Sequence, residues 1–428
     1  MPTADRRRPT AGMRRLTLVA VNVLVFVFVA ELVAVALHLV RHGTLFYLDP
    51  PRYAPLPETE RRTLTADRLH PYFGPTHAPG HPFGRSGAKT NNFGFVSPHD
   101  YPYLRSAGEQ LLIGIFGGSV GVWFCEQGAG RLVERLEQSG LFPGRRLVPL
   151  CFSHEGYKQP QQLLVLTYFL SIGQPFDLVI NIDGFNEVAL GSLNDQAGLD
   201  VSMPSRTHLE PLINVIDQST LTPEKLQSLA AIRGYKERMN ALAARISRTR
   251  LAFVSFVLTQ YYERLSKQYR AELVRFANLP ANPEASSIVY ATPRVAVRQG
   301  PRVFQDIVAQ WVSASTLMHD LLAARGTPYF HFLQPNQYHT SRPFDAAEAR
   351  VALNEASPFK AGVEQGYPLL VSASASLQER GIRSSDATHV FDAERGAVYM
   401  DDCCHYTPLG NRLLADFIAD RVIGSLRR

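Results

Sequence analysis

Three residues that lie far apart along the chain carry the groups that a nucleophilic serine requires. Ser119 follows a short apolar segment, and Asp402 and His405 lie near the C-terminus. A serine hydroxyl reacts readily only when a base takes its proton, and an imidazole is the better base when a carboxylate holds its other nitrogen. We therefore predict that Ser119 is a nucleophile, that His405 is its base and that Asp402 orients His405. Asp401 is the alternative acid, although the three-residue spacing favours Asp402.

The segments around these residues alternate between apolar strand-like runs and helical patterns, which is typical of a parallel sheet covered on both faces. The predicted strands are Leu111 to Phe116, Arg146 to Phe152, Phe176 to Ile182, Leu251 to Leu258 and Pro328 to Leu333. The predicted helices are Gly130 to Gln138, Pro160 to Leu170, Glu224 to Ile246 and Val303 to Ala324. The sequence thus predicts an α/β fold with a doubly wound, five-stranded parallel sheet. Sites in such sheets form at the carboxyl ends of the strands, where Ser119, Gly156 and Asn186 all lie.

Short motifs at these positions resemble, in order, the blocks of the SGNH (GDSL-type) hydrolase family, over about Leu111 to Leu426. Gly117-Gly118-Ser119 resembles the first block, although many members have Asp where this chain has Gly118, and Gly156 resembles the glycine of the second. The third block, G-x-N-[DE], matches Gly184-Phe185-Asn186-Glu187, and the fifth, D-x-x-H, matches Asp402-Cys403-Cys404-His405. The resemblance implies the flavodoxin-like SGNH fold and a serine esterase that needs no cofactor.

The resemblance also implies which groups would stabilise the oxyanion of the reaction. They are the backbone N–H groups of Ser119 and Gly156 and the side-chain amide of Asn186, and losing one such donor typically costs on the order of a hundredfold in rate. Thr407 and Pro408 suit the N-cap and first position of a helix, which places His405 just before the last helix. The G-x-S-x-G elbow of the α/β-hydrolases also fits around Ser119, but in that fold the elbow follows several strands.

An almost entirely apolar segment, 16–40, precedes this domain and is about long enough to cross a bilayer. The arginines before it are Arg6, Arg7, Arg8, Arg14 and Arg15. By the positive-inside rule they would keep the N-terminus cytoplasmic and send the rest of the chain across the membrane. The rival interpretation is a signal peptide cleaved near Ala36. Glu31, inside the segment, either pairs with a partner helix or stays protonated or snorkels to the surface.

The chain of 428 residues, with 45% hydrophobic and 19% charged residues, is long enough for one catalytic domain and an accessory segment. We predict a basic cytoplasmic N-terminus at 1–15, a transmembrane helix at 16–40, a linker and irregular packing segment at 41–110 and the hydrolase domain at 111–428. Stretches near 191–223 and 262–300 interrupt the alternation and are predicted to be insertions. The net charge of +6 is modest and partly local to the N-terminus, so we expect no nucleic-acid partner.

Cysteines and histidines add two further expectations. If the domain lies outside the cytoplasm, we expect one disulfide that joins Cys125 or Cys151 to the Cys403-Cys404 pair, with four buried thiols as the alternative. Three histidines precede the sheet: His70, His77 and His81. The Pro79-Gly80 pair breaks any helix that would align the last two, so we predict packing against the main domain and no metal site.

Three functions are compatible with these motifs. The first is a membrane-anchored serine esterase that acts through an acyl-serine intermediate, its catalytic domain facing the periplasm or cell surface. The resemblance implies a range that includes carbohydrate O-acetyl esterases and lipases, and an anchored domain outside the cytoplasm favours acetylated carbohydrate of the cell envelope or an exported polysaccharide over free lipid. The second is an O-acyltransferase that uses the same triad and passes the acyl group to a sugar hydroxyl. The third is a non-catalytic scaffold in polysaccharide assembly, against which the intact triad argues.

Overall fold

The computed structural model describes residues 11–50, 67–83, 88–105, 109–216, 221–280, 295–298 and 300–427. Its strands are β1 Asp67–His70, β2 Gly74–His77, β3 Pro82–Phe83, β4 Ala88–Lys89, β5 Gln110–Gly117, β6 Arg146–Ser153, β7 Leu178–Asp183, β8 Tyr329–Leu333 and β9 Arg383–Asp386. Its helices are α1 Ala11–His42, α2 Ser119–Gln127, α3 Ala129–Gln138, α4 Gln161–Ser171, α5 Phe185–Gln196, α6 Arg206–Ile216, α7 Pro223–Arg248, α8 Ala252–Asn278, α9 Arg302–Ala323, α10 Ala346–Ala352, α11 Lys360–Glu379 and α12 Pro408–Leu426. The chain forms two units. One comprises Met1–Leu64 and Gln218–Ser286, and the other comprises Thr65–Asp217 and Ser287–Arg428.

The second unit is built on a five-stranded, all-parallel sheet with the order β6-β5-β7-β8-β9. Gly117, at the end of β5, pairs with Ser153 on one side and Ile182 on the other. The carboxyl ends of these three strands therefore lie side by side. Every residue of β7 and β8 is buried, as expected for central parallel strands covered by helices on both faces. The predicted α/β class is confirmed.

The strand prediction is wrong at one segment and incomplete at another. Leu251 to Leu258 is not a strand, because α8 begins at Ala252 and runs through this apolar run. Periodicity alone cannot separate a short buried strand from the apolar part of a helix. The fifth strand is instead β9, whose four residues Arg-Ser-Ser-Asp pair with β8 at the edge of the sheet. A short polar edge strand carries almost no hydrophobic signal.

The described residues between Thr65 and the sheet belong to the second unit. Phe73, Phe95 and Tyr101 are buried in its core, and β1 and β2 form an antiparallel hairpin in which Asp67 lies opposite His77. Of the segment predicted as a linker and irregular packing segment, 41–110, residues 67–83 and 88–105 therefore contain packed structure. The last helix, α12, begins as predicted, since the Thr407 hydroxyl accepts a hydrogen bond from the N–H of Gly410 and Pro408 is the first helical residue.

The first unit contains α1, α7 and α8. Within α1, Leu18–His42 has 25 residues and is long and apolar enough to cross a membrane. At 1.5 Å per residue it measures about 37 Å, against about 30 Å for a hydrocarbon core. Arg6, Arg7 and Arg8 lie outside the described residues, so the predicted orientation of this helix stays a prediction.

Glu31, in the middle of α1, meets the start of another helix. Its carboxylate accepts hydrogen bonds from the N–H groups of Ala252 at 2.6 Å and Phe253 at 2.9 Å, the first two residues of α8. A carboxylate at this place satisfies unpaired N–H groups and meets the positive end of the helix dipole. Glu31 thus pairs with the start of another helix of the same chain.

The disulfide also differs from the expected one. Cys125 is bonded to Cys151, with their Cα atoms 6.0 Å apart, while Cys403 and Cys404 are free thiols. The reason is topological: α2 follows β5 directly and packs on β6, so Cys125 of the helix lies over Cys151 of the strand.

Candidate active site

Ser119 and His405 meet at the carboxyl edge of the sheet. The Ser119 hydroxyl lies 2.7 Å from Nε2 of His405, although 286 residues of sequence separate them. Ser119 is the first residue of α2, immediately beyond β5, and His405 precedes α12, which packs against α2 and α3. The pair can therefore move a proton from the hydroxyl to the imidazole.

The acid that holds His405 is Asp401, so the prediction of Asp402 is corrected. Asp401 Oδ2 makes a short hydrogen bond with Nδ1 of His405. The carboxylate of Asp402 instead accepts a hydrogen bond from the amide of Asn354 at 2.7 Å. The two neighbouring carboxylates diverge, and only one of them reaches the imidazole.

A tight turn explains why Asp401 takes this place. Its Oδ1 accepts hydrogen bonds from the N–H groups of Cys403 at 3.0 Å, Cys404 at 3.0 Å and His405 at 3.2 Å. These bonds wrap the chain round the carboxylate and bring the His405 ring to its second oxygen. Burial alone would raise the pKa of Asp401, but the hydrogen bonds and charge of His405, with the backbone N–H groups, hold it below its usual value. Asp401 is thus an anion beside the imidazole at neutral pH.

Two of the predicted oxyanion donors are backbone N–H groups next to strand ends. The N–H of Ser119 lies in the first turn of α2, where helix N–H groups lack partners and the dipole is positive. Gly156 lies in a turn after β6 with φ of +74°, which favours glycine. Within the described chain, neither N–H has a backbone acceptor.

Asn186 lies beside the nucleophile's turn. Its Nδ2 donates to the carbonyl of Tyr157 at 2.7 Å, which leaves the second hydrogen of that amide for a ligand. A Cβ on Gly118 would come within 2.1 Å of this Nδ2 and 3.0 Å of the Tyr157 oxygen. The absence of a Cβ at Gly118 therefore leaves room for the Asn186 amide in this position.

Glu187, whose part in the site the sequence did not reveal, ties two of these loops together. One carboxylate oxygen accepts the N–H of Gln159 and the other accepts the N–H of Gly184, both at 2.8 Å. The loop after β6 and the loop after β7 are thus fixed to each other. Nothing in the sequence except the position of Glu187 next to Asn186 points to this role.

Sulfur and aromatic groups border the nucleophile. The Cys404 thiol is buried 4.0 Å from the Ser119 hydroxyl and 3.2 Å from the thiol of Cys403, and burial raises its pKa well above the usual value. The indole of Trp123 meets the His405 ring edge-on with 6.5 Å between centroids, and Phe83 packs on the indole. Trp123 is half-buried, so it offers an aromatic surface beside the reacting groups.

A second cluster of ionisable groups lies beside the Gly156 turn. His77 lies 2.8 Å from Asp67 and 3.0 Å from Glu155, and the ring of His154 lies beside it, tilted by 45°, with 4.5 Å between ring centroids. Burial would lower the pKa of His77, but its ion pairs with Asp67 and Glu155 raise it to about 10. Burial lowers the pKa of His154. His70 is elsewhere, stacked on Phe73, so the three histidines considered from sequence do not form one site.

Comparison with protein-family models finds no match for this chain, and no curated protein matches it by sequence. The geometry of the site therefore carries the functional argument.

Proposed function

We propose that this protein is a membrane-anchored serine esterase of the SGNH type that removes acyl groups, above all O-acetyl groups, from carbohydrate. The observation that carries the proposal is the chain of contacts from Asp401 through His405 to the Ser119 hydroxyl, which lies 2.7 Å from its base. A serine with this arrangement is set up for acyl transfer.

The reaction follows from these contacts. Ser119 Oγ attacks the ester carbonyl carbon while its proton passes to Nε2 of His405, and Asp401 stabilises the imidazolium. The N–H groups of Ser119 and Gly156 and the amide of Asn186 hold the oxyanion. His405 then gives its proton to the leaving alcohol oxygen as the ester C–O bond breaks. A water molecule, deprotonated by His405, then attacks the carbonyl carbon of the acyl-serine. His405 returns the proton to Ser119 Oγ as the acyl–oxygen bond breaks, and the carboxylic acid leaves.

The fold supports the SGNH assignment. The sheet order β6-β5-β7-β8-β9 is that of flavodoxin-like doubly wound folds, which bind ligands outside the carboxyl ends of the strands. The groups that the family resemblance implies come from the loops after β5, β6 and β7 and from the segment before α12, with Asp401 in place of Asp402. The mechanism requires no cofactor.

Two features support the proposed location and substrate. The Cys125–Cys151 disulfide suits an oxidising compartment outside the cytoplasm, to which the N-terminal arginines would direct the chain after α1. Trp123, half-buried beside His405, offers a flat apolar face with a polar edge, which suits the face of a sugar ring.

Labelling with a serine-directed fluorophosphonate tests the nucleophile. The full chain in detergent should be labelled once, and Ser119→Ala and His405→Ala should lose the label, because nucleophile and base act as a unit. Ser171→Ala, a change at an exposed serine at the end of α4, is the matched control. Labelling that persists in folded Ser119→Ala would refute the proposal.

Substrate profiling then separates the reactions open to an acyl-serine. Release of acetate from acetylated sugars in water supports the esterase, whereas transfer only when an acceptor glycan is present would identify an O-acyltransferase. Active-site labelling without turnover of any acetylated glycan would exclude carbohydrate as the substrate class.

A reporter fused after Arg428 tests the orientation. Reporter activity only outside the cytoplasm, with full-length protein retained in carbonate-washed membranes, is the expected result. A shortened, released protein would identify a cleaved signal peptide instead.

A further inference from the structure

The histidine cluster beside the Gly156 turn has the hydrogen-bond pattern of a metal site. Nδ1 of His77 donates to Asp67 Oδ1 at 2.8 Å, and Nδ1 of His154 donates to the carbonyl oxygen of Glu155 at 2.9 Å. Metal-binding histidines are commonly held in this way, with one ring N–H bonded to a carboxylate or a backbone carbonyl. The bond of His154 fixes its tautomer and leaves Nε2 with a free lone pair. His77, which is paired with both Asp67 and Glu155, would release the proton of its Nε2 when an ion binds.

The opposite ring nitrogens converge. Nε2 of His77 lies 3.0 Å from Oε2 of Glu155, and Nε2 of His154 lies 3.8 Å from the same oxygen. These three atoms are buried, and apart from the ion pair between His77 and Glu155 they have no hydrogen-bond partner among the described residues. His154 is only 1% exposed. Buried polar atoms of native proteins are nearly always satisfied, so His154 Nε2, which lies no closer than 3.8 Å to the carboxylates of Asp67 and Glu155, requires an explanation.

We propose that a divalent transition-metal ion of the Zn²⁺ type binds here, with His77 Nε2, His154 Nε2 and Glu155 as ligands and Asp67 as the carboxylate that orients His77. Two imidazoles and a carboxylate are a common ligand set for zinc, and a water molecule would complete a tetrahedron. The charges of Asp67 and Glu155 balance the two positive charges of the ion. The Glu155 side chain is 27% exposed, which gives the ion a path from solvent.

The site would connect two parts of the catalytic unit. Asp67 and His77 are cross-strand partners in the β1–β2 hairpin, while His154 and Glu155 directly precede Gly156. A bound ion would therefore fasten the hairpin to the loop that presents Gly156. Metal binding itself does not depend on the proposed esterase activity and is tested without it.

Binding of zinc to the full chain in detergent, stripped with chelator, is the first test. Calorimetry and elemental analysis should find one tightly bound ion. His154→Gln should weaken binding by at least about a hundredfold, and Asp67→Asn by about 10–100-fold as expected for an outer-shell partner. His70→Gln, a histidine of the same hairpin that stacks on Phe73, and Ser119→Ala should bind zinc like the wild type.

Cobalt separates this site from a second group among the described residues that could hold a metal, which comprises Cys403, Cys404 and His405. Co²⁺ held by nitrogen and oxygen gives weak visible bands, whereas two cysteine ligands would add an intense thiolate charge-transfer band. The proposal expects no such band and an unchanged spectrum in Cys403→Ser/Cys404→Ser. A thiolate band that disappears in this double variant would overturn it.

Thermal unfolding shows whether each variant is folded. Without metal, a folded His154→Gln shows a cooperative transition, and zinc should raise the midpoint of the wild type but not that of the variant. If His154→Gln does not fold, His77→Gln provides the same comparison. Absence of stoichiometric zinc binding to the wild type, or equal binding to the wild type and these variants, would leave the cluster as an ion-pair network and refute the metal site.

Discussion

Exchange of each neighbouring aspartate for asparagine gives the sharpest test of the proposed triad. In Asp401→Asn the amide can still accept the three backbone N–H groups through its oxygen, so the turn before His405 can persist. Its NH₂ group would then face Nδ1 of His405 and favour the tautomer with the proton on Nε2. That nitrogen lies 2.7 Å from the Ser119 hydroxyl and could no longer accept its proton.

The expected loss in Asp401→Asn is about 10⁴-fold in kcat, the size seen when a triad histidine is held in the wrong tautomer. It corresponds to about 5 kcal/mol of transition-state stabilisation. Asp402→Asn leaves an amide oxygen that can still accept from the Asn354 amide, and it does not touch the imidazole, so kcat should change by no more than a few fold. Hydrolysis of 4-nitrophenyl acetate by folded, detergent-solubilised protein measures both.

The result that would refute this reasoning is a larger loss in Asp402→Asn than in Asp401→Asn. Activity of Asp401→Asn within tenfold of the wild type would also refute it, because His405 would then be oriented by other contacts. Circular dichroism of both variants provides the folding control.

Three other changes probe the oxyanion site, a buried lysine and the helix contact of the first unit. Asn186→Ala should lower kcat on the order of a hundredfold with little change in KM, because the oxyanion charge that its amide stabilises develops only in the transition state. A raised KM at normal kcat would show instead that the amide contacts the ground-state substrate. Burial lowers the pKa of Lys158 to about 8 from 10.5, so the folded chain binds fewer protons than the unfolded chain between those pH values. The unfolding free energy should therefore rise with pH across that window, by at most about 3 kcal/mol. Denaturant titrations at the lower and upper pH should show this rise in the wild type and not in Lys158→Met. An equal dependence of the unfolding free energy on pH in both proteins would contradict the lowered pKa of Lys158. Glu31→Gln should weaken the hydrogen bonds at the start of α8 by about 1 kcal/mol. Hydrogen exchange at the first amides of α8 should then be roughly fivefold faster than in the wild type. Unchanged exchange would show that the Glu31 carboxylate does not stabilise these amides.

The sequence alone predicted the features that depend on local patterns. Apolar runs marked four of the five strands, and the Thr407-Pro408 pair marked the start of the last helix, because strand burial and helix capping are recorded in neighbouring residues. The order of the motifs and their places after strand ends also put Ser119, Gly156 and Asn186 at one edge of the sheet, since parallel strands share the direction of their carboxyl ends.

The tertiary structure decided the choices between chemically equivalent neighbours and between distant partners. Asp401 and Asp402 differ by one position, and only the turn of N–H groups round Asp401 determines which carboxylate meets His405. The apolar run that starts α8 could equally have been a strand by its pattern, and the carboxylate that accepts its first N–H groups, that of Glu31, lies more than 200 residues away. The partner of Cys125 and the meeting of His77 with His154 likewise depend on which strands lie side by side. Contacts between residues far apart in sequence leave no local pattern, because they exist only once the sheet has brought its loops together.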